Sequence, residues 1–321
     1  MSQLHLTTVT LNAAVDKTYF IPSLVPGQAN RASRTIAQAG GKGINVARVA
    51  HTLGEPVIAT GFIAGLNGQV IRGGLTQEGI GHQLVEAAAG ESRTCLNLID
   101  ESNGESLEVL EAGLKIGDDD CRQMIDKVKQ LAASSSVIVM SGSIPAGGSP
   151  DLYQRIIEAV KPSGVPVILD ASGEALVAGI EAAPFMIKPN KEEITRLMAS
   201  SSFIPEGSEE EQLLQMIRHL METKQINCVA VSLGEQGAMV GFGGHVYKVG
   251  AAKVNAVNPV GSGDSFVAGF AVSLHRGYDI ARALQLASAC GASNSCHEAA
   301  GVVQPADVAR LAEQIEVQQI I

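Results

Sequence analysis

Asn258-Pro259-Val260-Gly261-Ser262-Gly263-Asp264-Ser265, followed by Phe266-Val267-Ala268-Gly269-Phe270, is the stretch around which the chain is organised. Pro259 stops any strand that precedes it, because it has no N–H to give to a ladder. Gly261 and Gly263 permit a tight turn whose backbone N–H groups point one way. The small and apolar residues after Ser265 read as a buried helix. A glycine turn that feeds a helix N-terminus attracts anions, since the first N–H groups lack partners and the helix dipole is positive there. Asp264 puts a carboxylate at that point, and it has two readings. It caps the helix with help from Ser262, or it is a base aimed at a hydroxyl while the turn neutralises the phosphoryl group that the hydroxyl attacks. The stretch alone leaves both open.

Outward from this turn, apolar strands alternate with helices. Leu4 to Leu11, Val57 to Phe62, Val137 to Met140, Val165 to Leu169, Phe185 to Ile187 and Cys228 to Ser232 read as strands. Ile44 to Leu53, Gly68 to Glu78, Asp118 to Ala133, Leu152 to Val160, Glu192 to Met198, Glu209 to Met221, Asp279 to Asn294 and Pro305 to Ile315 read as helices. Gly237 to Gly241 and His245 to Val249 resemble a hairpin. The alternation predicts an α/β fold with a largely parallel, doubly wound sheet covered on both faces. Polar strands do not fit that layer: Thr18 to Ile21, Arg31 to Ala37, and a hairpin of Arg93 to Ile99 with Ser106 to Glu111, turned at Asn103-Gly104. Residues 16–37 and 93–111 are expected to form a small separate sheet, a lid over the crevice. Asn12 to Asp16 reads as a polar turn. With no repeat, low-complexity tract or long linker, residues 1–321 are expected to form a single domain.

Composition narrows the partners. Of the 321 residues 45% are hydrophobic and 17% charged, the balance of a globular protein that buries a large core. Aromatic residues make up 3% and Trp is absent, which argues against a stacking platform for nucleic acid. The formal charge is −10 and no basic run is present, so neither nucleic acid nor an anionic membrane surface is an expected partner. An anionic substrate needs local Lys and Arg instead. Cys95, Cys121, Cys228, Cys290 and Cys296 are scattered without metal-ligand spacing and read as buried thiols of a reducing cytoplasm. No leader or membrane span is recognisable, and a cytoplasmic location is expected.

Further constellations each carry a plain and a chemical reading. Gly40-Gly41-Lys42-Gly43-Ile44-Asn45 is a loop-to-helix cap, or a turn in which the glycines admit a polyhydroxylated ligand, Asn45 bonds its hydroxyls and Lys42 meets a charge. Asp16 is a turn residue or a ligand for sugar hydroxyls. Arg93 and Arg31 are solvated charges or phosphate partners. Asn190 with Glu193, in Lys188-Pro189-Asn190-Lys191-Glu192-Glu193, is a capping box or a pair that organises Mg²⁺ through water. Ser232-Leu233-Gly234-Glu235-Gln236-Gly237 is a generic turn unless a nucleotide packs there.

Together these pieces resemble the PfkB, or ribokinase-like, carbohydrate kinase family. Gly40 to Arg48 (GGKGINVAR) and Asn258 to Asp264 (NPVGSGD) look like its two signatures, in order and at family-like separation. Lys188-Pro189-Asn190 with Glu193, and Val231 to Gly234 with Gly237-Ala238, also match, and the resemblance runs over essentially the whole chain. Thr10-Leu11-Asn12 with Asp16, Arg31 and Arg93 looks like the phosphosugar branch, which holds tagatose-6-phosphate kinases, 1-phosphofructokinases and minor 6-phosphofructokinases. Asn258 to Ser262 departs from the common Asp-Thr-x-Gly-Ala form. The Asn258 to Ser262 stretch, Gly61-Phe62-Ile63 and Glu108 to Glu111 are most similar to tagatose-6-phosphate kinases.

The resemblance implies a three-layer α/β/α sandwich with a β-sheet lid, and an ATP-dependent phosphosugar kinase that uses Mg²⁺. It implies Asp264 as base, with Gly261, Ser262 and Gly263 donating N–H groups to the transferring phosphoryl group. Asp16, Gly40, Gly41 and Asn45 would contact the sugar, and Arg31, Lys42 and Arg93 its existing phosphate. Asn190 and Glu193 would place Mg·ATP, with Lys188, Ser232, Gly234 and Gly237 lining the nucleotide site. Some members dimerise through the lid and some respond to K⁺. The rivals are a nucleoside or unphosphorylated-sugar kinase and a non-catalytic sugar-phosphate or nucleotide sensor on the same fold.

Overall fold

Runs such as Val137-Ile138-Val139-Met140 become central strands because both of their faces are covered by helices. The computed structural model describes residues 4–199 and 203–321. In chain order its strands are β1 (His5–Thr10), β2 (Ala14–Ile21), β3 (Arg34–Gly40), β4 (Val57–Ile63), β5 (Gly81–His82), β6 (Val85–Glu86), β7 (Arg93–Asp100), β8 (Ser106–Leu110), β9 (Ser135–Ser141), β10 (Val167–Asp170), β11 (Met186–Ile187), β12 (Cys228–Ser232), β13 (Ala238–Phe242), β14 (His245–Val249) and β15 (Val317–Gln319). The α-helices are α1 (Lys42–Thr52), α2 (Gly65–Gln77), α3 (Asp118–Ala132), α4 (Leu152–Val160), α5 (Gly173–Gly179), α6 (Lys191–Ala199), α7 (Glu209–Lys224), α8 (Ser262–Arg276), α9 (Ile280–Ser295) and α10 (Pro305–Ala312).

The large sheet has the order β15-β14-β13-β12-β11-β10-β9-β1-β4-β5, with β6 also paired to β4. From β12 to β5 the neighbours run parallel, and β13 to β15 add an antiparallel edge. The strand period of two divides its side chains between two cores. Val137 and Val139 join α1, α2, α8, α9 and α10 on one face. Ile138 and Met140 join α3 to α7 on the other. The result is the expected mostly parallel α/β/α sandwich.

The small sheet has the order β3-β2-β7-β8. The hairpin around Asn103-Gly104 forms as expected, with β7 and β8 antiparallel. Two expectations need correction. Residues 12–16 are not one polar turn: β2 begins at Ala14, and Asp16 lies within it, in register with Gln38 and Cys95. Partners on both sides and the burial of Ala14 and Val15 draw this segment into the sheet. The strand read from Arg31 starts instead at Arg34 and runs to Gly40, leaving Arg31 in an exposed stretch. Helix α8 begins at Ser262, earlier than the apolar run suggests, so Asp264 sits in its first turn. Helix α5 and strand β15 are additions, too short to show a periodic signature. Cys121, Cys228 and Cys290 are buried, whereas Cys95 and Cys296 are only partly so. Among the described residues no helix is long and apolar enough to cross a membrane.

Helices α8 and α9 approach closely at Gly269, where a Cβ would lie 2.8 Å from both the Ala287 Cα and the Leu286 carbonyl oxygen. Backbone cannot give way there as a flexible side chain could. Gly269→Val is therefore expected to cost about 3 kcal/mol of stability by overpacking, read as a lower urea midpoint. An unchanged midpoint would show that the two helices have room to spare.

Candidate active site

Open α/β sheets bind ligands beyond the carboxyl ends of their strands, where the winding reverses. Here the reversal falls between β1 and β9, and the polar ends of the neighbouring strands collect there. Ser141 ends β9 and Asp170 ends β10, and the Ser141 hydroxyl donates to Asp170 Oδ2 at 3.1 Å. Asp170 is held between two ammonium groups, Lys188 Nζ at 3.3 Å from Oδ1 and Lys42 Nζ at 3.5 Å from Oδ2. Burial pushes the Asp170 carboxyl up, but the charges of Lys188 and Lys42, with hydrogen bonds from Lys188 and Ser141, overcome it and hold the group below its ordinary value. The Lys42 ammonium is raised chiefly by Asp170, against its own burial, with help from Asp264 and Glu193.

Asp264 enters this cluster from the first turn of α8 and is 6% exposed. The Asn45 amide donates to its Oδ2 at 2.9 Å. Burial raises the Asp264 carboxyl to about 6, and the Asp170 charge adds to that; Lys42, Asn45 and Lys188 pull it back. A carboxyl near that value is ionised at neutral pH yet remains a competent proton acceptor.

The turn before α8 is built for close approach. Gly261 has a φ of 85°, a left-handed conformation that favours glycine. Asn294 ties the turn to residue 301: its amide donates to the Val260 carbonyl at 2.8 Å and its Oδ1 accepts the Gly301 N–H at 2.7 Å. The Ser262 N–H is spent on the Pro259 carbonyl at 3.1 Å, which subtracts it from the three expected anion donors. The open first turn of α8 leaves the N–H groups of Gly263 and Asp264 without helical partners. Lys188 overlooks that turn, since a side chain on Gly263 would begin 3.2 Å from its Nζ.

The small sheet supplies the other wall. Asp16 accepts the Gly41 N–H, and its carboxylate fills the space in which any Gly40 side chain would stand. Burial raises the Asp16 carboxyl, while that hydrogen bond and the charges of Arg48 and Arg93 draw it down. Arg93, facing Asp16, donates to the carbonyls of Asn12 at 3.2 Å and Glu111 at 3.4 Å. Arg31 enters none of these hydrogen bonds. Asn45, read from the sequence as a partner for sugar hydroxyls, is 4% exposed, with its amide on Asp264 and its carbonyl oxygen on Arg48.

On the opposite side Asn190 and Glu193 cap one another, the Asn190 N–H donating to Glu193 Oε2 and the Glu193 N–H to Asn190 Oδ1, both at 2.8 Å. Asn190 bridges to Ser232, and the turn holding Gly234 and Gly237 closes with the Leu233 N–H on the Gly237 carbonyl at 2.8 Å. Among the described residues no group of three or more His, Cys, Asp or Glu could hold a metal ion. The capping box leaves Glu193 Oε1 outside it. One such oxygen suits an Mg²⁺ that keeps its waters and arrives with a polyphosphate, and does not suit a resident metal.

Sequence reasoning missed Asp170, Ser141 and Arg48 as site residues. Asp170 and Ser141 were findable as polar residues at the carboxyl ends of buried strands. Arg48 carried no signal beyond its place in GGKGINVAR.

The pfkB family carbohydrate kinase pattern matches residues 6–306. Escherichia coli phosphofructokinase-2, solved in complex with potassium, is 25% identical, with a TM-score of 0.89 over 97% of this chain and 99% of that one. A Staphylococcus aureus protein described as a phosphofructokinase is 28% identical, with a TM-score of 0.82 over 98% of this chain and 99% of that one. A Thermotoga maritima protein designated for 1-phosphofructokinase shares the fold, with a TM-score of 0.87 at 23% identity over 99% of this chain and 100% of that one. The chain belongs to the pfkB family of carbohydrate kinases and is an ATP-dependent sugar kinase.

Asp170 is the counter-charge for both lysines, so Asp170→Asn is expected to destabilise the protein at pH 7 by about 3 kcal/mol, as the loss of one partner from a buried pair does. The folded Asp170 carboxyl is held down, so its contribution is complete above the unfolded value and is lost as pH falls through the folded one. Urea unfolding of both proteins along a pH series should therefore show the gap closing in acid. A constant gap would mean that packing, not charge, makes the difference.

Proposed function

We propose that this pfkB-family kinase transfers the γ-phosphoryl group of ATP to a free hydroxyl of a ketohexose monophosphate, giving a bisphosphate and ADP. The observation that carries this reading is the Asp264 carboxyl, buried and raised to about 6 beside two ammonium groups at the N-terminus of α8. Asp264 takes the proton of the acceptor hydroxyl as its oxygen bonds to the γ-phosphorus. The bond from that phosphorus to the bridging oxygen breaks, and ADP leaves. The first-turn amides of α8 and Lys188 stabilise the charge on the transferring group. Lys42, held by Asp170 beside Asp264, suits the same group better than the sugar's own phosphate. Asn190 and Glu193 would place an Mg²⁺ that arrives with ATP, whose chemistry when bound would be to neutralise polyphosphate charge. Ser232, Gly234 and Gly237 line the nucleotide side.

Asp16 and the Gly40-Gly41 backbone read the sugar, and Arg93 its existing phosphate, with Arg31 able to join only from an exposed segment. Residues 1–321 act as one domain with the small sheet as its lid. Exposed Leu107 and Val109 on the outer face of that sheet are the surface that a second copy would cover. Tagatose-6-phosphate is the first acceptor to test, on Gly61-Phe62-Ile63 and Glu108 to Glu111. A second reading, a fructose phosphate, is favoured by the relatives, one of which has been solved with fructose-6-phosphate. A potassium complex of the same relative makes K⁺ a condition to vary.

An ADP-release assay with Mg·ATP is expected to show a kcat/KM preference for one phosphorylated ketohexose among tagatose-6-phosphate, fructose-6-phosphate and fructose-1-phosphate, over fructose and ribose. Turnover of unphosphorylated sugars alone would sink the proposal, and ATP binding with no turnover would favour the sensor. Arg93→Ala should raise KM for the phosphosugar at least tenfold, the order of a lost charge-assisted contact of roughly 1.5–3 kcal/mol, with little change for ATP. An unchanged KM would make Arg93 a strand-edge charge. Since the base must be ionised, kcat/KM should fall as pH drops below about 6. A profile flat to pH 5 would show that burial does not raise the Asp264 carboxyl in the working enzyme.

A further inference from the structure

Arg48 lies at the centre of a hydrogen-bond set that the phosphoryl-transfer steps above do not use. It sits on the buried side of α1 and is 8% exposed. Its Nη1 donates to Asn45 Oδ1 at 3.0 Å and to the Ala300 carbonyl at 3.4 Å. Its Nη2 donates to the Ala39 carbonyl at 2.6 Å and to Glu78 Oε1 at 3.1 Å, and its Nε to Glu78 Oε2 at 2.6 Å. One guanidinium therefore joins the end of β3, the loop that packs on the glycine turn, and the amide that touches Asp264.

The chemistry of that amide makes the arrangement directional. A guanidinium has donors and no acceptor, and an ionised carboxylate has acceptors and no donor. An asparagine between them satisfies both in one orientation only, oxygen toward Arg48 and nitrogen toward Asp264. Without Arg48 the amide can turn over and present its oxygen to Asp264, which then favours the protonated acid. Glu78 matches the charge of Arg48 in a two-toothed ion pair, so the influence of Arg48 on Asp264 runs through the amide rather than through net charge. The other charged groups facing Asp264 are Lys42 from α1, Lys188 from the loop after β11 and Asp170 from β10, and Glu193 acts on Lys42.

We infer that Arg48 is a positioning residue that locks the Asn45 amide and thereby fixes Asp264 as a hydrogen-bonded, ionised carboxylate. The inference rests on the reading of Asp264 as the base. Its test is the titration of Asp264 in the ligand-free protein, followed by ¹³C carboxyl resonances of Asp-labelled material and assigned by the peak missing in Asp264→Asn. The proteins to compare are wild type, Glu78→Gln, Arg48→Lys and the charge-balanced Arg48→Met/Glu78→Gln. The double variant is expected to move the Asp264 midpoint up by about one pH unit, the size of a lost charge-state-selective hydrogen bond. Glu78→Gln alone, which keeps the amide locked but leaves the Arg48 charge uncompensated, should hold the midpoint at or below the wild-type value. Arg48→Lys, which keeps the charge but replaces the planar fork with a flexible ammonium, should fall between wild type and the double variant. The acid limb of kcat/KM, measured with fructose-6-phosphate and tagatose-6-phosphate, should move with the midpoint. If the double variant does not fold, Arg48→Lys carries the test. An Asp264 midpoint that stays at the wild-type value in the folded variants would overturn the relay, even with kcat reduced. A midpoint that moves while the limb stays fixed would overturn Asp264 as the base, and with it the catalytic meaning of the relay.

Discussion

Asp170 and Asp264 are buried in the same cluster, held there by Lys188, itself buried, and by Lys42, whose side chain stays half exposed. Two ionised carboxylates side by side in a protein interior repel each other and have lost their hydration. The two lysines resolve this unequally. Asp170 receives both ammonium groups directly and stays ionised, while Asp264 feels them at longer range and is left near 6. One carboxylate thus becomes a fixed counter-charge and the other a base tuned to neutral pH. Each of the four charges comes from a different part of the chain, so the sheet must order β9, β10 and β11 beside β1 before the cluster can exist.

The two glycine-led helices serve the same balance. Helix α1 brings Lys42 and Asn45, and α8 brings Asp264 with its open first turn. The amides at that turn are fixed donors that need no reorganisation when charge builds on a phosphoryl group. The glycines are needed for approach: Gly40 leaves room for the Asp16 carboxylate, and Gly261 takes a left-handed conformation against Ala300. Arg34 ties the small sheet to the loop beyond α9 through a two-toothed pair with Glu298. The two walls of the crevice are therefore joined by an exposed ion pair as well as by the buried guanidinium of Arg48.

What could be read in advance was local. Strand and helix alternation follows from apolar periodicity, and the glycine turns and the Asn103-Gly104 hairpin from backbone requirements. What was missed depends on partners distant in sequence. Asp16 belongs to a strand because β3 and β7 flank it, and its register partners, Gln38 and Cys95, lie far outside its own stretch of sequence. Asn45 looks free to meet a sugar until Asp264, 219 residues away, claims its amide. Asp170 reads as the polar end of a short apolar strand, and its role appears only when two lysines from other elements converge on it. The Ser262 N–H looks like an anion donor until the helix is seen to start at that residue and the turn to take its proton for Pro259. Sequence spacing shows which chemistry is present, whereas long-range packing decides which groups remain free to perform it.

The most direct test of the account is phosphoryl transfer by Asp264→Asn, measured in a single turnover with nucleotide binding followed on the same sample by calorimetry. Asparagine keeps the shape and can still pair with Asn45, but cannot accept a proton. The account predicts that Mg·ATP binds with near wild-type affinity while transfer to the sugar phosphate is lost. Near-normal transfer in the variant would contradict it, because the buried carboxylate around which the site is balanced would then not be the base.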